Sequence, residues 1–63
     1  MTGTRFEIRK SRTNKYYFVL IARNGEIICT SEMYEAKDSC IKGIKAIKRY
    51  SLFAGIKDTT LVS

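Results

Sequence analysis

The stretch Tyr16-Tyr17-Phe18-Val19-Leu20-Ile21-Ala22-Arg23-Asn24-Gly25-Glu26-Ile27-Ile28-Cys29-Thr30-Ser31 decides the fold. At its centre lies Asn24-Gly25, a pair suited to a tight type I′ turn because both residues accept positive φ. Apolar, β-branched and aromatic runs flank it, so residues 16–23 and 26–31 read as the two strands of a hairpin. A tight turn of this kind sets the register: Arg23 faces Glu26, Ala22 faces Ile27, Ile21 faces Ile28 and Leu20 faces Cys29. One face then carries Tyr16, Phe18, Leu20, Ala22, Ile27 and Cys29, and the other carries Tyr17, Val19, Ile21, Ile28 and Thr30. Both faces are largely apolar. Arg23 and Glu26 are placed for a weak cross-strand ion pair.

Upstream, residues 5–10 alternate with period two. Phe6 and Ile8 point one way, and Arg5, Glu7 and Arg9 point the other, as in a strand with one solvated face. Residues 11–15 are polar and short enough to close a second antiparallel hairpin. Downstream, the period changes to 3.6. Ala36, Cys40, Gly43, Ile44, Ile47 and Tyr50 fall on one stripe, while Lys37, Asp38, Lys42, Lys45, Lys48 and Arg49 fall outside it. This predicts an amphipathic helix over residues 35–50, with Ile41 off the apolar stripe. Glu35 and Asp38 at its start and Lys45, Lys48 and Arg49 at its end suit the helix dipole. Gly43 lies on the apolar face, where close approach of helix to sheet explains a residue of poor helix propensity. Residues 54–59 read as a last strand with Ile56 inward, and residues 61–63 as a frayed end. The expected fold class is α+β: an antiparallel sheet of three or four strands, in the order β-β-β-α-β, with one amphipathic helix on one face.

Sixty-three residues make a single domain, here expected to have a structured core over about residues 5–59. A chain this short buries only about 60% of the surface its unfolded form exposes, so a partner chain is one common source of further stability. The net charge is +6, from 12 Lys and Arg against 6 Asp and Glu. Such a surface attracts phosphates and other anions. The longest apolar stretch, residues 16–22, is far short of a membrane span. Residues 1–8 carry charges and no apolar signal core, so the expected compartment is cytoplasmic, with no membrane partner. Two cysteines and no histidine are present. Cys29 and Cys40 have no metal-ligand spacing and are expected as small core residues of a reducing compartment.

The sequence of elements, together with particular residues, resembles the YegP-like family of uncharacterised small bacterial proteins, domain of unknown function 1508. The matching pieces are Phe6-Glu7-Ile8, the alternation of Tyr16, Phe18, Leu20 and Ala22, and Asn24-Gly25-Glu26. Ile28 follows, then Thr30-Ser31-Glu32 with Tyr34, the helix residues Lys37, Ser39, Gly43, Ile44, Ile47 and Lys48, and finally Asp58. Met33 departs from the pattern, standing where a glycine is usual. Tyr17, Val19 and Ile21 stand where family members tend to carry polar residues. The resemblance implies a hairpin-rich α+β fold and no established activity, cofactor or catalytic residue. Some family members look like two such units in tandem, so a single unit is expected to pair as a homodimer.

Three classes of function can be weighed on the residues themselves. An enzyme needs a nucleophile with its base, or a paired acid and base. No histidine, phosphate-cradling glycine loop or carboxylate pair meets that need, so neither an enzyme nor a cofactor is expected. Nucleic-acid binding, or binding of another anionic partner, would use Lys42, Lys45, Lys48 and Arg49 at the helix end with Arg9 and Arg12 of the first hairpin. The same cations also suit a helix C-terminus and a solvated surface. Protein association would use the sheet face the helix leaves bare, with Tyr17, Val19, Ile21 and Ile28 as the candidate interface. The favoured expectation is a non-enzymatic homodimeric interaction or structural module, with nucleic-acid binding as the alternative.

Overall fold

The computed structural model describes residues 3–60. Three strands, β1 (Arg5–Lys10), β2 (Tyr16–Ile21) and β3 (Ile27–Thr30), are followed by the helix α1 (Lys37–Tyr50) and a short 3-10 turn (Ser51–Phe53). The strands form one antiparallel sheet in the order β1-β2-β3, so the most apolar strand lies in the centre. The α+β class and the three-stranded sheet with one helix stand as expected. The fourth strand is absent from this sheet: residues 54–59 are exposed and unpaired in a ladder, and Ile56 is 99% exposed rather than inward. The expected frayed end at residues 61–63 lies outside the described residues.

Both hairpin loops solve the same geometric problem in the same way. In the first, the Asn14 amide donates to the Ser11 carbonyl (3.1 Å), the Ser11 amide donates to the Lys15 carbonyl (2.8 Å), and Asn14 takes φ 64°. In the second, the Gly25 amide donates to the Ala22 carbonyl (2.9 Å), the Ala22 amide donates to the Glu26 carbonyl (2.8 Å), and Gly25 takes φ 89°. These are turns extended by one left-handed residue, which glycine and asparagine tolerate best. The expected type I′ turn is therefore corrected. Asn24 keeps negative φ and uses its side chain instead, with Oδ1 accepting from the Glu26 amide (3.1 Å).

The longer loop moves the register by one residue. Ala22 bonds with Glu26, so Arg23 does not face it, and Ile27 pairs with Ile21 rather than Ala22. A bulge at Ile28 then restores the expected pairing of Leu20 with Cys29. Ile27 consequently changes face and is half exposed.

The helix begins two residues later than predicted, at Lys37, after Ala36 in extended conformation. It packs on β2 and β1 and makes no contact with β3. Phe18 is the centre of that interface. Its ring meets Phe6 edge-on at 5.8 Å and stacks on Tyr34 at 6.2 Å. Gly43 sits over this cluster so closely that a β-carbon there would lie 2.5 Å from Tyr34 Oη and 3.3 Å from Phe18 Cε2. The close approach expected of Gly43 is thus present, and it has a named cause. Ile41, expected off the packed stripe, is half-buried.

Candidate functional site

The residues of the candidate interface do not form the bare face expected of them. Val19 is 1% exposed and Ile21 3% exposed, Tyr17 is half-buried, and only Ile28 is open, at 59%. The register supplies the reason. Arg5 pairs with Ile21, Glu7 with Val19 and Arg9 with Tyr17, which puts the three charged side chains on the same face as the three apolar ones. Arg5 Nε donates to Glu7 Oε2 at 2.9 Å, and Arg9 Nη2 donates to Glu7 Oε1 at 3.1 Å. Both arginines are thus drawn toward the carboxylate of Glu7, the residue that pairs directly with the buried Val19. The Arg9 and Arg5 hydrogen bonds also hold the Glu7 carboxyl below its ordinary pKa.

The open apolar surface lies elsewhere. Ile27 and Ile28 of β3 are 50% and 59% exposed, and Cys29 beside them is exposed because the helix stops short of β3. The expectation of Cys29 as a core thiol is corrected on this ground. Cys40 is buried, and burial pushes its thiol pKa up. The far end of the helix and the segment after it are equally open: Tyr50 63%, Leu52 82%, Phe53 85% and Ile56 99%. Ile47 and Tyr50, expected on the packed apolar stripe, are 39% and 63% exposed, because periodicity gives the direction of a side chain and not whether anything covers it.

The candidate basic patch divides. Lys42, Lys45 and Arg49 line a shallow hollow of about 230 Å³ on the outer side of the helix, with Ala46 and Tyr50. Lys48 is not among its lining residues. Arg9 lies across the sheet in its pair with Glu7, and Arg12 is exposed in the β1–β2 loop. Lys15 is held by Glu35 at 2.8 Å, which ties that loop to the segment before the helix. Among the described residues, no group of three or more His, Cys, Asp or Glu side chains could hold a metal ion. No helix among them is long and apolar enough to cross a membrane.

Known proteins share this fold and sequence. An NMR solution structure of a protein from Haloferax volcanii superposes with a TM-score of 0.83 and is 28% identical, covering 94% of this chain and all of that one. The UPF0339 protein PA0329 of Pseudomonas aeruginosa is 45% identical over 49 residues, which is 78% of this chain and 44% of that protein. The UPF0339 protein YegP of Escherichia coli K12 is 50% identical over 46 residues, 73% of this chain and 42% of that protein. A shorter UPF0339 protein from Treponema denticola is 44% identical and is covered over 78% of its length. The chain thus spans less than half of some relatives and most of others, and none of these names carries an activity. The family model described as Domain of unknown function (DUF1508) matches residues 11–58, from the first hairpin loop through the helix to Asp58, and the chain belongs to that family.

Proposed function

We propose that this chain is a non-enzymatic association module that acts as a homodimer. The observation that carries this reading is the amount of surface left uncovered. A compact monomer of 7.2 kDa has an accessible surface of about 4,100 Å² by the usual size scaling. This chain exposes 5534 Å². The excess, about 1,400 Å², is more than the ~800 Å² that each partner contributes to a standard interface. The exposed apolar side chains include Ile27, Ile28, Leu52, Phe53 and Ile56, which a soluble monomer gains nothing by exposing together. Relatives that this chain matches over only 42–44% of their length have room for a second unit within one chain, and a unit without one would obtain it from a second molecule. Light scattering over a range of concentrations tests the reading. The wild type is expected to have twice the monomer mass, and Ile28→Lys to have the monomer mass with an unchanged circular dichroism spectrum. A wild-type monomer at the highest concentration overturns it.

A second reading has one observation in its favour. Lys42, Lys45 and Arg49 stand on one side of the helix beside the Tyr50 ring, so phosphate contacts and base stacking would fall within one small area. Single-stranded oligonucleotide binding that weakens steeply with salt, and is lost in Lys45→Glu, would support it. Binding that Lys45→Glu leaves unchanged would remove it.

A further inference from the structure

Charge is unevenly spread over this chain, and most of it lies on one element. α1 carries Lys37, Lys42, Lys45, Lys48 and Arg49 against Asp38, so five cations and one acid leave +4 of the chain's +6 on 14 residues. Among the described residues the ion pairs are Arg5–Glu7, Arg9–Glu7 and Lys15–Glu35, so no carboxylate there neutralises Lys42, Lys45 or Arg49. The helix dipole accounts for Lys48 and Arg49 in the last turn, and its effect fades beyond that turn. It does not account for Lys42 and Lys45. Like charges three and four residues apart on a helix repel, and Lys42, Lys45 and Arg49 stand at those spacings. The helix thus keeps a row of unneutralised cations at a cost to its own stability.

The row borders a hollow. Ala46, a small side chain among long ones, leaves an open space of about 230 Å³ between Lys42, Lys45, Arg49 and Tyr50. All five residues are exposed. Sites that enclose a small molecule run to about 300–1,000 Å³, so this hollow is too small to bury one and suits a ligand that passes across it. From Lys42 to Arg49 is about 10.5 Å along the helix axis, in steps of about 4.5 and 6 Å. A duplex fixes its phosphates at about 3.4 Å of axis per strand and keeps its bases inside the stack. A single strand can spread its phosphates to match the cations and turn a base outward. Tyr50, 63% exposed, offers that base a ring beside the hollow. None of the lining residues is Asn, Gln, Asp or Glu, the side chains that read the edges of adenine and cytosine.

Resting on the nucleic-acid reading above, and independent of the dimer, we propose that this row is a short binding site for single-stranded nucleic acid, selective against duplex and tolerant of sequence. Lys42, Lys45 and Arg49 each take one phosphate, and one base stacks on Tyr50. Three phosphate contacts release few counterions, so the logarithm of the affinity should fall against the logarithm of the salt concentration with a slope of about −2. Stacking on an uncharged ring releases none, so losing it lowers the affinity without altering that slope. The roles of the cations and of the ring are therefore separable in one titration.

The test is fluorescence anisotropy on the full chain, between about 20 and 200 mM salt, with a labelled oligothymidine of about a dozen nucleotides and a duplex of the same length. The single strand should bind about tenfold or more tightly than the duplex, and a mixed-sequence single strand within about fivefold of oligothymidine. Lys42→Ala and Lys45→Ala should each flatten the salt slope by about 0.7. Tyr50→Ala should weaken binding about fivefold or more with the slope unchanged, and Tyr50→Phe should bind as the wild type does. Arg12→Ala, which removes the same charge from the β1–β2 loop, should leave the affinity within about twofold. A duplex bound as tightly as the single strand, or a Tyr50→Ala without effect, overturns the single-strand site and leaves the phosphate contacts standing. Losses in Arg12→Ala equal to those in Lys45→Ala, or no binding at the lowest salt, overturn both.

Discussion

At Gly43, two opposing effects of a single methyl group can be compared. Alanine would improve helix propensity by about 1 kcal/mol. Its β-carbon would also meet Tyr34 Oη at 2.5 Å, Tyr34 Cζ at 3.1 Å and Phe18 Cε2 at 3.3 Å. Phe18 is 2% exposed, and Tyr34 is fixed by paired backbone hydrogen bonds to Tyr16 of 2.8 and 2.7 Å, so neither ring withdraws freely. Overpacking of this kind costs about 1–3 kcal/mol, so Gly43→Ala should be destabilised by up to about 2 kcal/mol. Removing the hydroxyl relieves the closest contact. The same substitution in a Tyr34→Phe background should therefore cost less, and a double-mutant cycle by denaturant unfolding measures the difference. Equal costs in both backgrounds would place the strain elsewhere. Glu7 offers a second measurement at this scale. Its folded pKa is held below the ordinary 4.5, first by the Arg9 hydrogen bond and then by that of Arg5. A depressed carboxylate stabilises the fold above its unfolded pKa and loses that contribution as pH falls through the folded value. The melting temperature of the wild type should therefore fall between about pH 5 and pH 3 more steeply than that of Glu7→Gln. Parallel curves would mean that the two arginines add nothing to folding.

At the scale of the element, local signals identified every strand and the helix, but the loops and the consequences of burial needed the assembled fold. Asn24-Gly25 marked the second hairpin because only such residues sit easily at a tight turn. Whether the glycine alone or both residues take positive φ depends on how the two strands twist together, and the pair reads the same either way. That single choice moved Ile27 to the other face and required the bulge at Ile28. Asn14 does in the first loop what Gly25 does in the second, and nothing in residues 11–15 beyond the asparagine itself announced it. Val19 and Ile21 looked bare because alternation reports which way a side chain points, not whether its neighbours on that face leave it open; both are buried. The turn can be tested directly. A β-carbon at Gly25 meets nothing within 4 Å, so the cost of Gly25→Ala comes from the φ of 89° alone. About 1–2 kcal/mol of destabilisation is expected, with Gly25→Asn falling between alanine and wild type. A neutral Gly25→Ala in thermal unfolding would mean that the loop relaxes into another turn.

For the whole molecule, the shortage is of buried volume. The fully buried apolar side chains among the described residues are Phe18, Val19, Ile21 and Cys40. A core of that size supports little stability against the conformational entropy of the chain. If the second copy supplies the remainder, folding and association are one equilibrium, and stability depends on protein concentration. The size of the dependence follows from the entropy of unfolding. At about 2.1 cal/mol/K per residue, two chains of 63 residues give an unfolding entropy of about 0.26 kcal/mol/K. A tenfold rise in concentration is worth about 1.4 kcal/mol, so the melting temperature should rise by about 5 °C for each tenfold step. Ile28→Lys should flatten this slope and lower the melting temperature at high concentration, since it removes the association but leaves the Phe18 core intact. A melting temperature constant over a hundredfold range in the wild type would mean that the small core is sufficient alone. The surface on β3 and residues 51–58 would then be open for a different partner, one that binds after the domain has folded.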